Sequence, residues 1–121
     1  MSSREGVSAG AHKHSSDPKT HPADVKACQQ AAAIFGALGD LNRLRILSLL
    51  AQREMCVSEI TAVLSDNLSA VSQRLRLLKG ERIVVVRREG KHMFYSLVDK
   101  HVRNLVLNGL DHGKESTTPP S

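Results

Sequence analysis

Aromatic residues are nearly absent from this chain. It has no tryptophan, one tyrosine (Tyr95) and two phenylalanines (Phe35 and Phe94) in 121 residues. A core must therefore be aliphatic, and the 40% apolar content suffices for one modest domain. Cysteine is equally sparse: Cys28 and Cys56 are too few for a disulfide-stapled scaffold. No apolar stretch approaches the roughly 20 residues that a bilayer span needs. The first 27 residues are polar and lack the apolar segment of a signal peptide. These absences predict a cytoplasmic protein without membrane contact, whose two thiols are reduced.

What is plentiful is positive charge, a net +5 with a pI near 9.6, which favours an anionic partner and nucleic acid before membrane. Residues 1–22 contain five Ser and three His (His12, His14, His21) and almost no large aliphatics, so they read as a disordered arm. Residues 113–121 end in Thr-Thr-Pro-Pro-Ser and read as a disordered tail. The folded domain is expected over residues 23–112. Apolar spacing predicts helices over Ala23 to Leu38, Leu41 to about Gln52 (capped by Asp40), Val57 to Leu64, and Ser69 to Lys79 with Ser69 as N-cap. The period then changes. Ile83 to Val86 and Met93 to Leu97 read as two strands around a Glu89-Gly90 turn, and Asp99 caps a last helix. The fold class is thus mainly α with a β-hairpin wing, a winged helix-turn-helix.

The fourth helix carries Ser69, Ser72, Gln73, Arg74 and Arg76 on its polar side. Gln and Arg can make bidentate contacts to adenine and guanine edges, and Ser reaches bases or phosphates. The hairpin adds Arg87, Arg88, Lys91 and His92. Residues 73–92 hold seven cations against two carboxylates, a net charge equal to that of the whole chain. Double-stranded DNA is the expected partner.

The last helix carries a second constellation. His101 and His112 are eleven residues apart, three helical turns, so they share a face. Asp99 lies two residues before the first and Glu115 three residues after the second. At ~1.5 Å rise per residue the imidazoles lie about 16 Å apart along the axis, whereas ligands sit roughly 2 Å from a shared metal ion. One straight helix cannot close such a site. Two antiparallel copies can, bringing Asp99 and His101 of one chain to His112 and Glu115 of the other. The spacing therefore predicts a homodimer. Two His and two carboxylates suit zinc, and cobalt can substitute. Nickel prefers more ligands, which His12, His14 and His21 could supply. Gly113 directly follows His112, and glycine favours helix ends. The helix is therefore expected to stop there, leaving Glu115 on the tail and water or Asp111 as its substitute.

Four stretches together resemble the ArsR/SmtB family of metal-sensing repressors, closest to its zinc-sensing branch. They are Phe35 to Leu50 (FGALGDLNRLRILSLL), Glu54 to Ile60 (EMCVSEI), Leu68 to Leu78 (LSAVSQRLRLL) and Gly90 to Leu97 (GKHMFYSL). The resemblance covers about residues 25 to 115. It implies a homodimeric winged helix with the first and last helices at the interface. It also implies an apo dimer that binds an inverted-repeat operator and releases it on binding metal, inducing efflux or sequestration genes. The branch's Asp-x-His and His-x-x-Glu pairs map onto Asp99, His101, His112 and Glu115. By the same resemblance, a hydrogen-bond relay from a liganding His toward the reading helix would end at Arg82. Cys56 matches the start of the family's thiolate sites, but Ser58 stands where a second Cys would be. A soft-metal site would need Cys28, Cys56 and His21 or Glu59 to converge across chains. A thiol-based switch on Cys28 and Cys56 is the alternative sensor. A zinc hydrolase is disfavoured, because four protein ligands leave no open position for an activated water.

Overall fold

A computed structural model describes residues 19–117. Its elements run α1 (Val25–Leu38), α2 (Leu41–Leu50), β1 (Met55–Cys56), α3 (Val57–Leu64), α4 (Leu68–Gly80), β2 (Val84–Glu89), β3 (His92–Leu97) and α5 (Lys100–Thr117). The expected disordered arm lies mostly outside the described residues, as do His12 and His14.

Each helix start has a local chemical cause. Asp24 and Asp40 accept backbone N–H bonds from Ala27 (3.2 Å) and Arg43 (3.0 Å), opening α1 and α2. Asn67, rather than the expected Ser69, caps α4 by accepting the Ala70 N–H at 3.0 Å. Two acceptor side chains compete near this start, and Asn67 is in the extended conformation a cap requires, which places Ser69 inside the first turn. Asp99 caps α5 through the Val102 N–H, as expected. Arg43 closes α1 from the other end, donating to the carbonyls of Ala37 and Gly36 and joining α1 to α2.

The sheet order is β1-β3-β2, all antiparallel. The hairpin register closes on Glu89↔His92, so Gly90 and Lys91 form a two-residue turn with Gly90 at φ +62°. β1 was not anticipated. It is two residues long and exists because Met55 and Cys56 pair with Tyr95 and Phe94, a long-range pairing that leaves no local periodicity.

The core is aliphatic: Ile46, Leu47 and Leu50 of α2, Ile60 of α3, Val71, Leu75 and Leu78 of α4, Ile83, Val84 and Leu97 around the sheet, and Val102 and Val106 of α5, with Met55 beside them. α1 contributes no buried residue, and Val25, Phe35, Leu41, Leu105 and Leu107 leave apolar surface exposed on α1, α2 and α5.

The expected helix stop at Gly113 is corrected. α5 runs through Gly113 to Thr117, so Glu115 is helical and the predicted tail does not begin at residue 113. Glycine weakens a helix by only about 1 kcal/mol relative to alanine, and no proline follows until residue 119.

α4 ends differently. Arg82 adopts φ +61°, its N–H donating to Lys79 O (3.0 Å) while the Ile83 N–H donates to Leu78 O (2.9 Å). This is a Schellman closure with arginine where glycine is usual, and buried Ile83 packs beside buried Leu78. A left-handed non-glycine residue costs roughly 1–2 kcal/mol. Arg82→Gly is therefore expected to stabilise the fold by about 1 kcal/mol, read as an increased urea midpoint. A decreased midpoint would show that the Arg82 side chain itself stabilises the chain.

Candidate DNA interface and metal half-sites

The reading helix is held by its turn. α3 ends at Ser65 in the left-handed conformation (φ 51°), and Asp66-Asn67 leads directly into α4. Val71, Leu75 and Leu78 point into the core, which leaves Ser69, Gln73 and Arg76 exposed and Ser72 half-buried on the outer side.

Two arginines expected to face DNA have intramolecular partners. Arg74 donates to Asp66 Oδ2 at 2.9 Å, tying α4 to the turn before it. Arg87 makes a bidentate pair with Glu54 (3.1 and 2.7 Å), contacts Glu89 at 3.3 Å and lies 4.9 Å above the Phe94 ring. The Arg87 guanidinium holds the Glu54 carboxyl below its usual range. A backbone hydrogen bond from Asn67, helped by Arg74, does the same for Asp66. Both arginines thus brace the reading elements, Arg74 at the turn and Arg87 at the wing. Arg76, Arg88 and Lys91 are exposed.

The four predicted metal ligands fall into two pairs. His101 Nδ1 lies 3.9 Å from Asp99 Oδ2, and His112 Nδ1 lies 3.8 Å from Glu115 Oε1. The imidazoles are 83% and 85% exposed, so both pairs face outward. Asp99 is oriented by its capping role: Oδ1 accepts the Val102 N–H at 3.0 Å, leaving Oδ2 on the His101 side. Two ligands about 2 Å from an ion at a tetrahedral angle stand about 3.4 Å apart. Each pair is half an ångström wider, within the reach of a side-chain rotation, and so fits as half of a tetrahedral donor set. Among the described residues, no three His, Cys, Asp or Glu side chains gather around one point within a chain.

The same holds for the soft-metal alternative: Cys28, Cys56 and His21 do not assemble within one chain. Cys28 is exposed on α1. Cys56 is half-buried at the start of α3, where its N–H donates to Glu59 Oε1 at 3.0 Å. Arg82, the expected relay, has no side-chain bond to α5; its side chain is unpaired among the described residues.

A helix pair joined by a tight turn, with an outward polar second helix beside a charged hairpin, defines a winged-helix DNA-binding regulator. Residues 40–86 match the model of the bacterial regulatory protein arsR family. The chain is 47% identical to the transcriptional repressor SmtB homolog of Synechocystis sp. over 88 residues, covering 73% of this chain and 67% of that one. It is 37% identical over 98 residues to the cadmium resistance transcriptional regulatory protein CadC homolog of Staphylococcus aureus, covering 80% and 76% of the two chains. Its structure is similar, with a TM-score of 0.72 and 30% identity, to a homodimeric winged helix-turn-helix DNA-binding domain from Mycobacterium bovis, covering 84% of this chain and 94% of that one. The chain belongs to the ArsR family. It is a transcriptional regulator. Among the described residues, no helix is long and apolar enough to cross a membrane.

The start of α3 gives a pH-dependent prediction. The Cys56 backbone hydrogen bond, with Arg53 assisting, lowers the Glu59 pKa below 4.5. A depressed carboxylate contributes stability that is complete above its ordinary value and lost as pH falls through the folded-state value. Glu59→Gln keeps an acceptor for the Cys56 N–H but cannot titrate. Its urea midpoint should therefore fall less steeply than wild type as pH drops below 4.5. Identical pH profiles would remove Glu59 from the account.

Proposed function

We propose that this protein is a zinc-responsive transcriptional repressor in which two chains share each metal site through their last helices. The observation that carries this reading is the pair of outward-facing half-sites on α5, Asp99 with His101 and His112 with Glu115. Their separation of about 16 Å, at ~1.5 Å per residue, matches two sites related by a two-fold axis and not one site within a chain. The exposed apolar residues of α1 and α5 supply the surface for that second chain. Phe35 is 57% exposed and Leu105 is 36% exposed, and both line an open cleft with Leu38, Leu44, Val106 and Gly109. Leu105 lies four residues after His101 and seven before His112, on the imidazole face between the half-sites.

The relatives support the coarser part of the reading, since one is named a transcriptional repressor and another a cadmium resistance regulator. The choice of zinc rests on the donors: imidazole nitrogen and carboxylate oxygen in a set of four suit zinc or cobalt. When bound, the ion supplies a link between two imidazoles and two carboxylates. The chain's own part is to carry the strain of that link. α5 packs on α2 and β3 through Val102 and Val106, and α2 packs on α3 and α4. Fixing the two α5 helices relative to each other therefore biases the spacing of the two reading helices. Metal must bind the low-affinity spacing more tightly than the DNA-competent one, and the coupling is typically 1–3 kcal/mol.

A 1–3 kcal/mol coupling makes zinc weaken operator affinity about 5- to 150-fold in wild type. His101→Ala and His112→Ala should each abolish that weakening while metal-free DNA affinity stays within about twofold, because both imidazoles are exposed. Titrating zinc into protein bound to its own promoter fragment, with fluorescence anisotropy as readout, checks this. Release of DNA by zinc from the double variant would reject the site.

A further inference from the structure

Beyond the reading helix lies an open groove of about 580 Å³, lined by Lys79, Arg82, Val84, Val85, Val86, Arg88 and Val98. It runs along β2, an edge strand of the sheet, at the C-terminal end of α4. Its floor is apolar, with Val85 and Val98 exposed, and its rim is three cations with no carboxylate among the lining residues. None of the three has a side-chain hydrogen bond or ion pair among the described residues. The contrast with their neighbours is direct: Arg74 is held by Asp66, and Arg87 by Glu54 and Glu89. The unpaired positive charge beyond Arg76 thus includes a cluster at this groove.

Two further observations point to a polyanion as the occupant. Lys79 follows Ser72 by seven residues and Arg76 by three, so it continues the outward stripe of α4 from the base-reading residues into the groove. Arg82 is held at φ +61°, a conformation in which glycine is the ordinary residue, so a charged side chain is kept here at a conformational cost.

Resting on the DNA-binding reading above, we infer that the Lys79–Arg82–Arg88 groove holds the phosphodiester backbone of the bound duplex. It contributes sequence-independent affinity next to the base-reading face. Arg82 is then a phosphate contact rather than the end of a metal relay.

Phosphate contacts have a specific signature, because each one releases counterions and steepens the salt dependence of binding. The test compares wild type, Arg82→Gly and the Lys79→Ala/Arg88→Ala pair on a duplex of arbitrary sequence and on the protein's own promoter fragment. Arg82→Gly is expected to relieve the backbone, and a urea midpoint at or above that of wild type shows that a loss of affinity in that variant is not a folding defect. Between about 50 and 200 mM salt, each lost cation should reduce the fall in affinity by about threefold, equally on both duplexes. Zinc-driven release of whatever binding remains should be unchanged. Variants with wild-type salt slopes overturn the groove while leaving DNA binding standing. Loss of zinc response with unchanged metal-free slopes overturns it in favour of the relay. Polyglutamate binding that disappears in the variants, with duplex binding intact, overturns it by assigning the groove to an acidic protein. A wild type that binds no duplex overturns both this inference and the reading on which it rests.

Discussion

The rise of an α-helix is the constraint on which this account depends. Eleven residues of α5 separate His101 from His112, so geometry alone makes each His-carboxylate pair an incomplete site. As metal sites, each would need a second chain, which would also cover the exposed apolar residues on α1 and α5. On the proposed reading one event answers both needs. The dimer completes the donor sets, and the donor sets report on dimer geometry. A site confined to one chain could bind the same ion and would have no direct hold on the spacing of two reading helices.

On the proposed reading, the rest of the fold transmits that spacing by being stiff. α5 is anchored by Val102 and Val106 in the same core that receives Ile46, Leu47 and Leu50 of α2 and Val71, Leu75 and Leu78 of α4. Close-packed aliphatic cores shift as units rather than deform locally. The joints are reinforced by polar contacts: Arg43 on the end of α1, Arg74 on the turn before α4 and Arg87 on Glu54 beneath the wing. On the proposed reading these charges help to aim the DNA-binding surface. The cations left unpaired around the β2 groove are the ones available to a polyanion.

Much of this was legible in the sequence. The helix order, the hairpin and the Asp40 and Asp99 caps follow from local patterns of three or four residues. So does the shared face of the two histidines. What escaped was decided by competition or distance. Asn67 outcompetes Ser69 as a cap because of backbone conformation, which composition does not encode. β1 exists only through partners about forty residues away in β3. Gly113 looked like a stop, but a stop needs a left-handed turn and a capping partner, and α5 continues without one. The Arg87–Glu54 pair spans 33 residues, so local sequence gave no sign that this cation has an internal partner. Arg82, without a glycine signature, gave no sign of its left-handed conformation.

The central claim, that each metal site is built from two chains, can be tested by mixing two inactive proteins. His101→Ala and His112→Ala chains are unfolded together and refolded, and zinc binding is measured on the mixture and on each protein alone. If the sites are shared, a mixed dimer carries one doubly damaged site and one intact site. Tight zinc binding should then reappear in the mixture although neither parent has it. A mixture that binds no more zinc than its parents would contradict the shared site.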